Sequence, residues 1–258
     1  GSGIGRSASS RCSFFTPGGQ VAVIGCGTRI ADDGVTPTLD FCININGSFL
    51  NLDGGPQLGI RTQSGTIKGW TYQGRSGSDR GWTDITINRV DTGAWALDGS
   101  NMLVEHSDIG PSLDPLNNRI EGGNGNGFTD DLIHDFPVIN GGHFECITWE
   151  SGFNIVIQRN LFKNCGVFDI FAKPVENIGG LVDHNSFYEK IPDGGSGGGY
   201  NNDNLAVRTG AGASSCQVTA SNNWMMLAAL DLSCPGSKDG GGNTFHSNSE
   251  TPPDPRQQ

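Results

Sequence analysis

Cations are scarce in this chain of 258 residues: 16 Lys and Arg stand against 27 Asp and Glu, a formal net charge of −11. A surface of that sign repels phosphate backbones and anionic headgroups, which argues against nucleic acid and membrane surfaces as partners. Long apolar runs are missing as well, so no membrane-spanning helix and no membrane insertion are expected. Signals for helix are almost absent. Hydrophobic residues make up only 34%, which would leave an ordinary globular fold of this length short of core. The seven cysteines include no Cys-x-x-Cys pair, which removes the usual zinc sites. There is no P-loop, no Gly-x-Gly-x-x-Gly, no Ser-His-Asp order and no His pair at metal-binding spacing.

What the chain does have is glycine, 41 of them, and a recurring pattern. An apolar residue is followed three positions later by Asn, Asp or Ser, and two positions beyond that by another apolar residue. It recurs as Val104…Ser107-Asp108-Ile109, Phe128…Asp131-Leu132-Ile133, Ile157…Asn160-Leu161-Phe162, Val182…Asn185-Ser186-Phe187 and Ala220…Asn223-Trp224-Met225, and in shortened form as Asn243-Thr244-Phe245. The polar positions are separated by 24, 29, 25, 38 and 20 residues. Repeats of this size mean a solenoid, in which each unit buries its apolar face only against its neighbours. Short alternating strands with Gly/Asn-rich turns make it a β-solenoid of about eight to ten coils. Apolar residues recurring in register exclude a disordered chain. The repeated Asn has a structural explanation: it tolerates left-handed backbone and can bond the backbone of the next coil from inside a turn, giving a stacked ladder.

Three regions follow. Residues 1–40 are expected to form an irregular capping segment, although Val21 to Ile24 reads as a strand. Residues 41–248 are the solenoid, starting with the alternating Phe41-Cys42-Ile43-Asn44-Ile45. Residues 249–258, with Thr251-Pro252-Pro253-Asp254-Pro255, read as a disordered tail. Two excursions interrupt the coils, at Asn117–Gly127 and at Asp193–Asn204, which carries Gly-Gly-Ser-Gly-Gly-Gly-Tyr. Such loops either hold binding determinants or are tolerated insertions.

Cys146 and Cys165, and Cys216 and Cys234, lie about one coil apart. That spacing puts each pair within disulfide reach on adjacent rungs, as suits an exported protein, or leaves them as buried thiols. The expected pairing is Cys146–Cys165 and Cys216–Cys234.

The most unusual strand is Gly142-His143-Phe144-Glu145-Cys146-Ile147-Thr148-Trp149-Glu150. If Phe144 and Cys146 point inward, period-two alternation turns His143, Glu145, Ile147 and Trp149 outward. One coil on, Asp169 aligns beside Glu145 and Lys173 beside Trp149, and Arg208 joins the face from the coil after. Two carboxylates on rungs about 4.8 Å apart would perturb each other, as a general acid and base require. The expected catalytic set is therefore Glu145, Asp169, His143, Lys173 and Arg208. Trp149, Asp114 and Arg119 are expected substrate contacts, and Glu145 with Asp169 is a possible Ca²⁺ pair. The competing explanation is a surface ladder of charges that keeps coils in register. No other cofactor is called for.

The run from Asp84-Ile85-Thr86-Ile87 through Gly110-Pro111-Ser112-Leu113-Asp114, His143-Phe144-Glu145-Cys146-Ile147 and Asn164-Cys165-Gly166-Val167-Phe168-Asp169 resembles secreted bacterial right-handed parallel β-helix proteins of the pectate-lyase-like superfamily. The resemblance covers roughly residues 80–248. It implies an all-β, extracellular parallel β-helix that acts on or binds polysaccharide. As an enzyme the protein would be a polysaccharide lyase or glycoside hydrolase; the alternative is a non-catalytic glycan-binding, adhesion or structural surface protein. The superfamily places catalytic residues differently in each enzyme class, so the resemblance assigns none here.

Overall fold

The computed structural model describes residues 12–25, 28–30, 37–39, 43, 48–63, 70–72, 83–111, 118–136, 145–188, 203–210, 213–226, 229–247 and 249–257. Over these the chain winds as a right-handed parallel β-helix. Each full coil lays down three strands, as in Gly152–Gln158, Leu161–Cys165 and Ile170–Ala172, before Ile178–Asp183 begins the next. Corresponding strands stack into a first sheet of nine strands, a second of nine and a third of seven. A small antiparallel pair, Thr28–Ile30 with Pro37–Leu39, stands apart.

The core is built of columns rather than layers. In the first sheet Val104, Phe128, Ile157, Val182 and Ala220 lie in register on successive rungs and are fully buried. In the second, Ile109, Ile133, Phe162, Phe187 and Met225 do the same. Parallel rungs set like side chains one strand spacing apart, about 4.8 Å, and the Phe162 and Phe187 rings accordingly stack at 4.9 Å. A narrow tube filled this way needs few apolar residues per coil, which explains the modest hydrophobic content.

The expected polar ladder lies between the first and second sheets. The backbone N–H of Ser107 donates to Asp131 Oδ1 at 2.7 Å, that of Asp131 to Asn160 Oδ1 at 2.9 Å, and that of Asn160 to Asn185 Oδ1 at 2.9 Å. Asn185 N–H then donates to Asn223 Oδ1, and Asn223 N–H to Asn243 Oδ1, both at 3.0 Å. Each Asn also turns its Nδ2 back onto a carbonyl of the preceding coil: Asn160 to Phe128, Asn185 to Ile157, Asn223 to Val182 and Asn243 to Ala220. The left-handed residue is not the ladder Asn itself, as its tolerance for that conformation suggested. It is the residue before each rung: His106, Asp130, Arg159, His184 and Asn222, with φ from 52° to 59°. The bend there aims the following N–H along the solenoid axis. A left-handed non-glycine residue costs about 1–2 kcal/mol, which the two or more buried hydrogen bonds per rung offset.

Several segments differ from expectation. Cys12–Phe15 and Ala22–Gly25 of the supposed cap pair in parallel with Leu50–Asp53 and Ile60–Gln63, and so form part of a coil. Residues 41–42 and 44–45 and the glycine-rich run 193–202 lie outside the described residues. The Asn117–Gly127 excursion contains a true rung, Asn118–Ile120, paired to Ala96–Leu97 on one side and Ile147–Trp149 on the other. Both disulfides join as expected, Cys146 to Cys165 and Cys216 to Cys234, with Cα separations of 5.2 and 5.7 Å. Cys12 is a free thiol.

The end of the chain is also ordered where disorder was expected. His246 stacks on Trp224 and pairs with Glu250 at 2.8 Å, and the chain finishes in a short 3-10 turn, Pro255–Gln257, with Pro255 buried. Arg256 lies in electrostatic reach of Asp108 and Asp131, several coils back. Ten extended residues span about 33 Å, ample for that return. Leu161 and Ser186, at outward positions of the second sheet, are nonetheless buried. The tail is a strap along the second sheet.

Candidate functional site

The strand expected to show its acids to solvent is turned over. Ile147 and Trp149 both point into the core and are fully buried, so the outward position of the strand is Thr148. Glu145 and Asp169 are buried at 3% and 1% exposure, which removes them as solvent-facing catalytic or Ca²⁺-binding groups. The reason is packing: the volume of Trp149 is needed inside, and that sets the phase of the strand. Alignment is also shifted by one residue. Ile147 N–H donates to the Asp169 carbonyl and Trp149 pairs with Ala172, so Lys173 stands beside Glu150 rather than Trp149. Asp169 accepts from Asn204 Nδ2 at 2.7 Å, a bond between coils.

Lys173 and Arg208 do face outward, on the third sheet. Arg208 is committed to Asp231 at 2.7 Å and covers the Phe168 ring, while Arg119 pairs with Glu121 at 3.0 Å. The Arg208–Asp231 pair joins adjacent coils, as the competing charge-ladder explanation asks, whereas Arg119–Glu121 lies within one coil. His143 and Asp114 lie outside the described residues. Among the described residues, no three or more His, Cys, Asp or Glu side chains are grouped to hold a metal ion.

Among the described residues an open concavity lies on the outer face of the first sheet. A groove of about 380 Å³ crosses three coils, with Phe153, Val156, Gly179, Leu181 and Gln217 among its lining. Val156 and Leu181 pair on adjacent rungs, as do Gly179 and Gln217, giving the groove a floor of small and aliphatic residues. Phe153 stands at its side, 38% exposed. A Cβ on Gly179 would come within 2.9 Å of the Phe153 ring, so glycine there lets the ring lie down. Beneath the groove, a Cβ on Gly180 would strike the Ile155 carbonyl and come 2.9 Å from Trp149 Cη2. Trp149, expected as an exposed platform, supports the groove from inside.

A polar column flanks the floor: Glu105, Thr129, Gln158, Asp183 and Ser221 share one register, two residues along each strand. Asp183 is its hub. It accepts from Ser221 Oγ at 2.6 Å, Gln158 Nε2 at 2.9 Å and Asn222 Nδ2 at 3.0 Å, and pairs with His184 Nδ1 at 2.6 Å. Burial opposes its charge, but these bonds outweigh it and hold its pKa at about 2. Beside the column, Arg159 clamps Asp130 through two bonds of 2.6 and 2.7 Å.

A second titratable cluster sits on the second sheet. His134 is bracketed by Asp108 at 2.8 Å and Asp135 at 2.7 Å. Burial lowers its pKa, and the two carboxylates more than reverse this, leaving it raised.

No protein family, curated protein or solved structure matches the chain.

Phe153 was missed for an identifiable reason. It shares parity with the inward Ile155 and Ile157, so strict alternation buries it. The irregular pairing between Gly152 and Ile155, with Asn154 at φ 55°, flips it outward. Gly152-Phe153-Asn154 was the available signal.

Proposed function

We propose that this protein is an extracellular glycan-binding β-helix that takes a neutral polysaccharide segment into the groove on its first sheet. The observation that carries this reading is the pairing of an exposed ring, Phe153, with a rigid aliphatic floor and a hydrogen-bonding column. A pyranose presents just such a combination, with apolar C–H faces for the ring and hydroxyls at its rim for Gln217, Gln158 and Asp183. Three coils span about 10 Å along the axis, room for a short oligosaccharide stretch. Fixed carboxylates along the column oppose uronates and leave neutral sugars favoured.

The catalytic alternative rested on Glu145 and Asp169 facing solvent, and their burial moves the balance towards binding. The likeness of the Asn164–Asp169 region to pectate-lyase-like β-helices supports a polysaccharide partner. Two disulfides suit an oxidising, extracellular setting, and among the described residues no helix is long and apolar enough to cross a membrane.

The test is calorimetric titration with neutral, amino-sugar and uronate polysaccharides, each with and without EDTA, alongside an assay for new reducing ends. Neutral glycan is expected to bind regardless of EDTA, and Phe153→Ala to weaken it on the order of tenfold with the melting temperature unchanged. Absence of binding across the panel, or affinity indifferent to Phe153→Ala and Gln217→Ala, would overturn the proposal. New reducing ends would restore an enzymatic reading.

A further inference from the structure

One rung of the ladder is chemically different from those that follow it. Asn160, Asn185, Asn223 and Asn243 each use two atoms: Oδ1 accepts the N–H of the preceding rung, and Nδ2 donates to the carbonyl three residues before that rung. Asp131 occupies the same position. Its Oδ1 accepts the Ser107 N–H at 2.7 Å, and its own N–H donates to Asn160 Oδ1. Its Oδ2 is buried with no hydrogen-bond partner, and the residue is 0% exposed. By the rule the asparagines obey, the atom opposite Oδ2 is the carbonyl oxygen of Val104. Two bare acceptors facing each other in a dry turn repel, and a proton between them turns repulsion into a hydrogen bond.

We propose that Asp131 is held as a neutral carboxylic acid that donates from Oδ2 to the Val104 carbonyl, an asparagine analogue that breaks its rung when alkali removes the proton. The surrounding charges agree. Glu105 from the preceding coil and Asp130 beside it both disfavour a further anion, and among the described residues Arg256 of the strap acts the other way. Arg256 is itself engaged by Asp254 through bonds of 2.6 and 2.8 Å, and Arg159 of the following coil by Asp130. Further along, Asp108 and Asp135 are taken up by His134. Burial, opposed only in part by the Ser107 N–H, pushes the carboxyl well above the usual range. The junction between the coils of residues 100–109 and 127–136 is therefore a pH-sensitive seam, firm in acid and weaker in alkali. The remaining ladder rungs described, built on Ser and Asn, have no such dependence.

The sign follows from linkage. A carboxyl whose folded pKa is raised binds more protons folded than unfolded, so its share of stability is complete below the ordinary Asp value and is lost as pH rises towards the folded one. Asp131→Asn should match wild type near pH 4 in thermal melts and exceed it increasingly above, reaching a gain of about 2–4 °C by pH 8. A variant less stable than wild type at neutral pH, or one whose difference is the same at every pH, overturns the proposal. A reading on the wild-type protein stands independently of that variant's stability. In a carboxyl ¹³C titration, the resonance that disappears in Asp131→Asn should stay protonated after the ordinary Asp side chains have ionised, and a resonance that ionises together with them is equally fatal.

Discussion

Asp183 gathers the side chains of two neighbouring coils onto one carboxylate, so its ionisation and the pairing of those coils are linked. Unfolded, it titrates near the ordinary Asp value of about 3.9; folded, at about 2. The unfolded chain therefore binds more protons in that interval. The stabilisation is complete above about pH 4 and is lost as pH falls through 2. Asp183→Asn should lower the melting temperature at pH 7, with the gap to wild type narrowing from pH 4 to pH 2. A gap that ignores pH would mean that shape, not charge, is what the column needs. Among residues, those fixed by chemistry were legible and those fixed by phase were not. The cysteines declared their partners by spacing, because a disulfide tolerates only one coil of separation. Glu145 and Trp149 were assigned to the wrong side and Phe153 was passed over because alternation gives two answers, and only the bulk of an indole or the bend at Asn154 chooses between them.

Strands of the first and second sheets were readable because each carries an apolar doublet at a constant offset from its ladder residue. The third sheet was readable only in part: the rungs of Ile147–Trp149 and Ile170–Ala172 were recognised but aligned one residue out of register, and Asn118–Ile120, too short for a period to register, was lost in the Asn117–Gly127 stretch that reads as loop on composition alone. The ladder is the element most open to test. Asn185 is nearly fully buried and serves both neighbours, accepting the Asn160 N–H, donating to the Ile157 carbonyl and presenting its own N–H to Asn223. Asn185→Ala strands the Asn160 N–H and the Ile157 carbonyl in a dry turn, at about 1–3 kcal/mol for each group. Urea unfolding should show a loss of at least about 2 kcal/mol, and Asn185→Asp should follow the behaviour of Asp131, recovering stability in acid. A loss under 0.5 kcal/mol, about the effect of an ordinary surface substitution, would show that the ladder only decorates the turn.

At the scale of the whole molecule, sequence repetition made the architecture plain, and the paired cysteines agree with an oxidising environment. The groove was hidden because it belongs to no single segment: Phe153, Leu181 and Gln217 meet only once three coils are stacked. The strap was hidden as well, since proline-rich composition describes an extended backbone without saying where it lies. Its path has a consequence for how the protein comes apart. Coils that touch only their neighbours behave as a one-dimensional array, which frays from its ends and opens in parts. A segment that leaves the C-terminal coils and brings Arg256 into electrostatic reach of Asp108 and Asp131 links late coils to early ones, which opposes the detachment of single coils between them. Hydrogen exchange of the full chain should find a common opening energy across residues 100–246, whereas removal of residues 249–258 should produce a gradient that falls towards the C-terminal coils. The strap makes an array of parts unfold as one cooperative body.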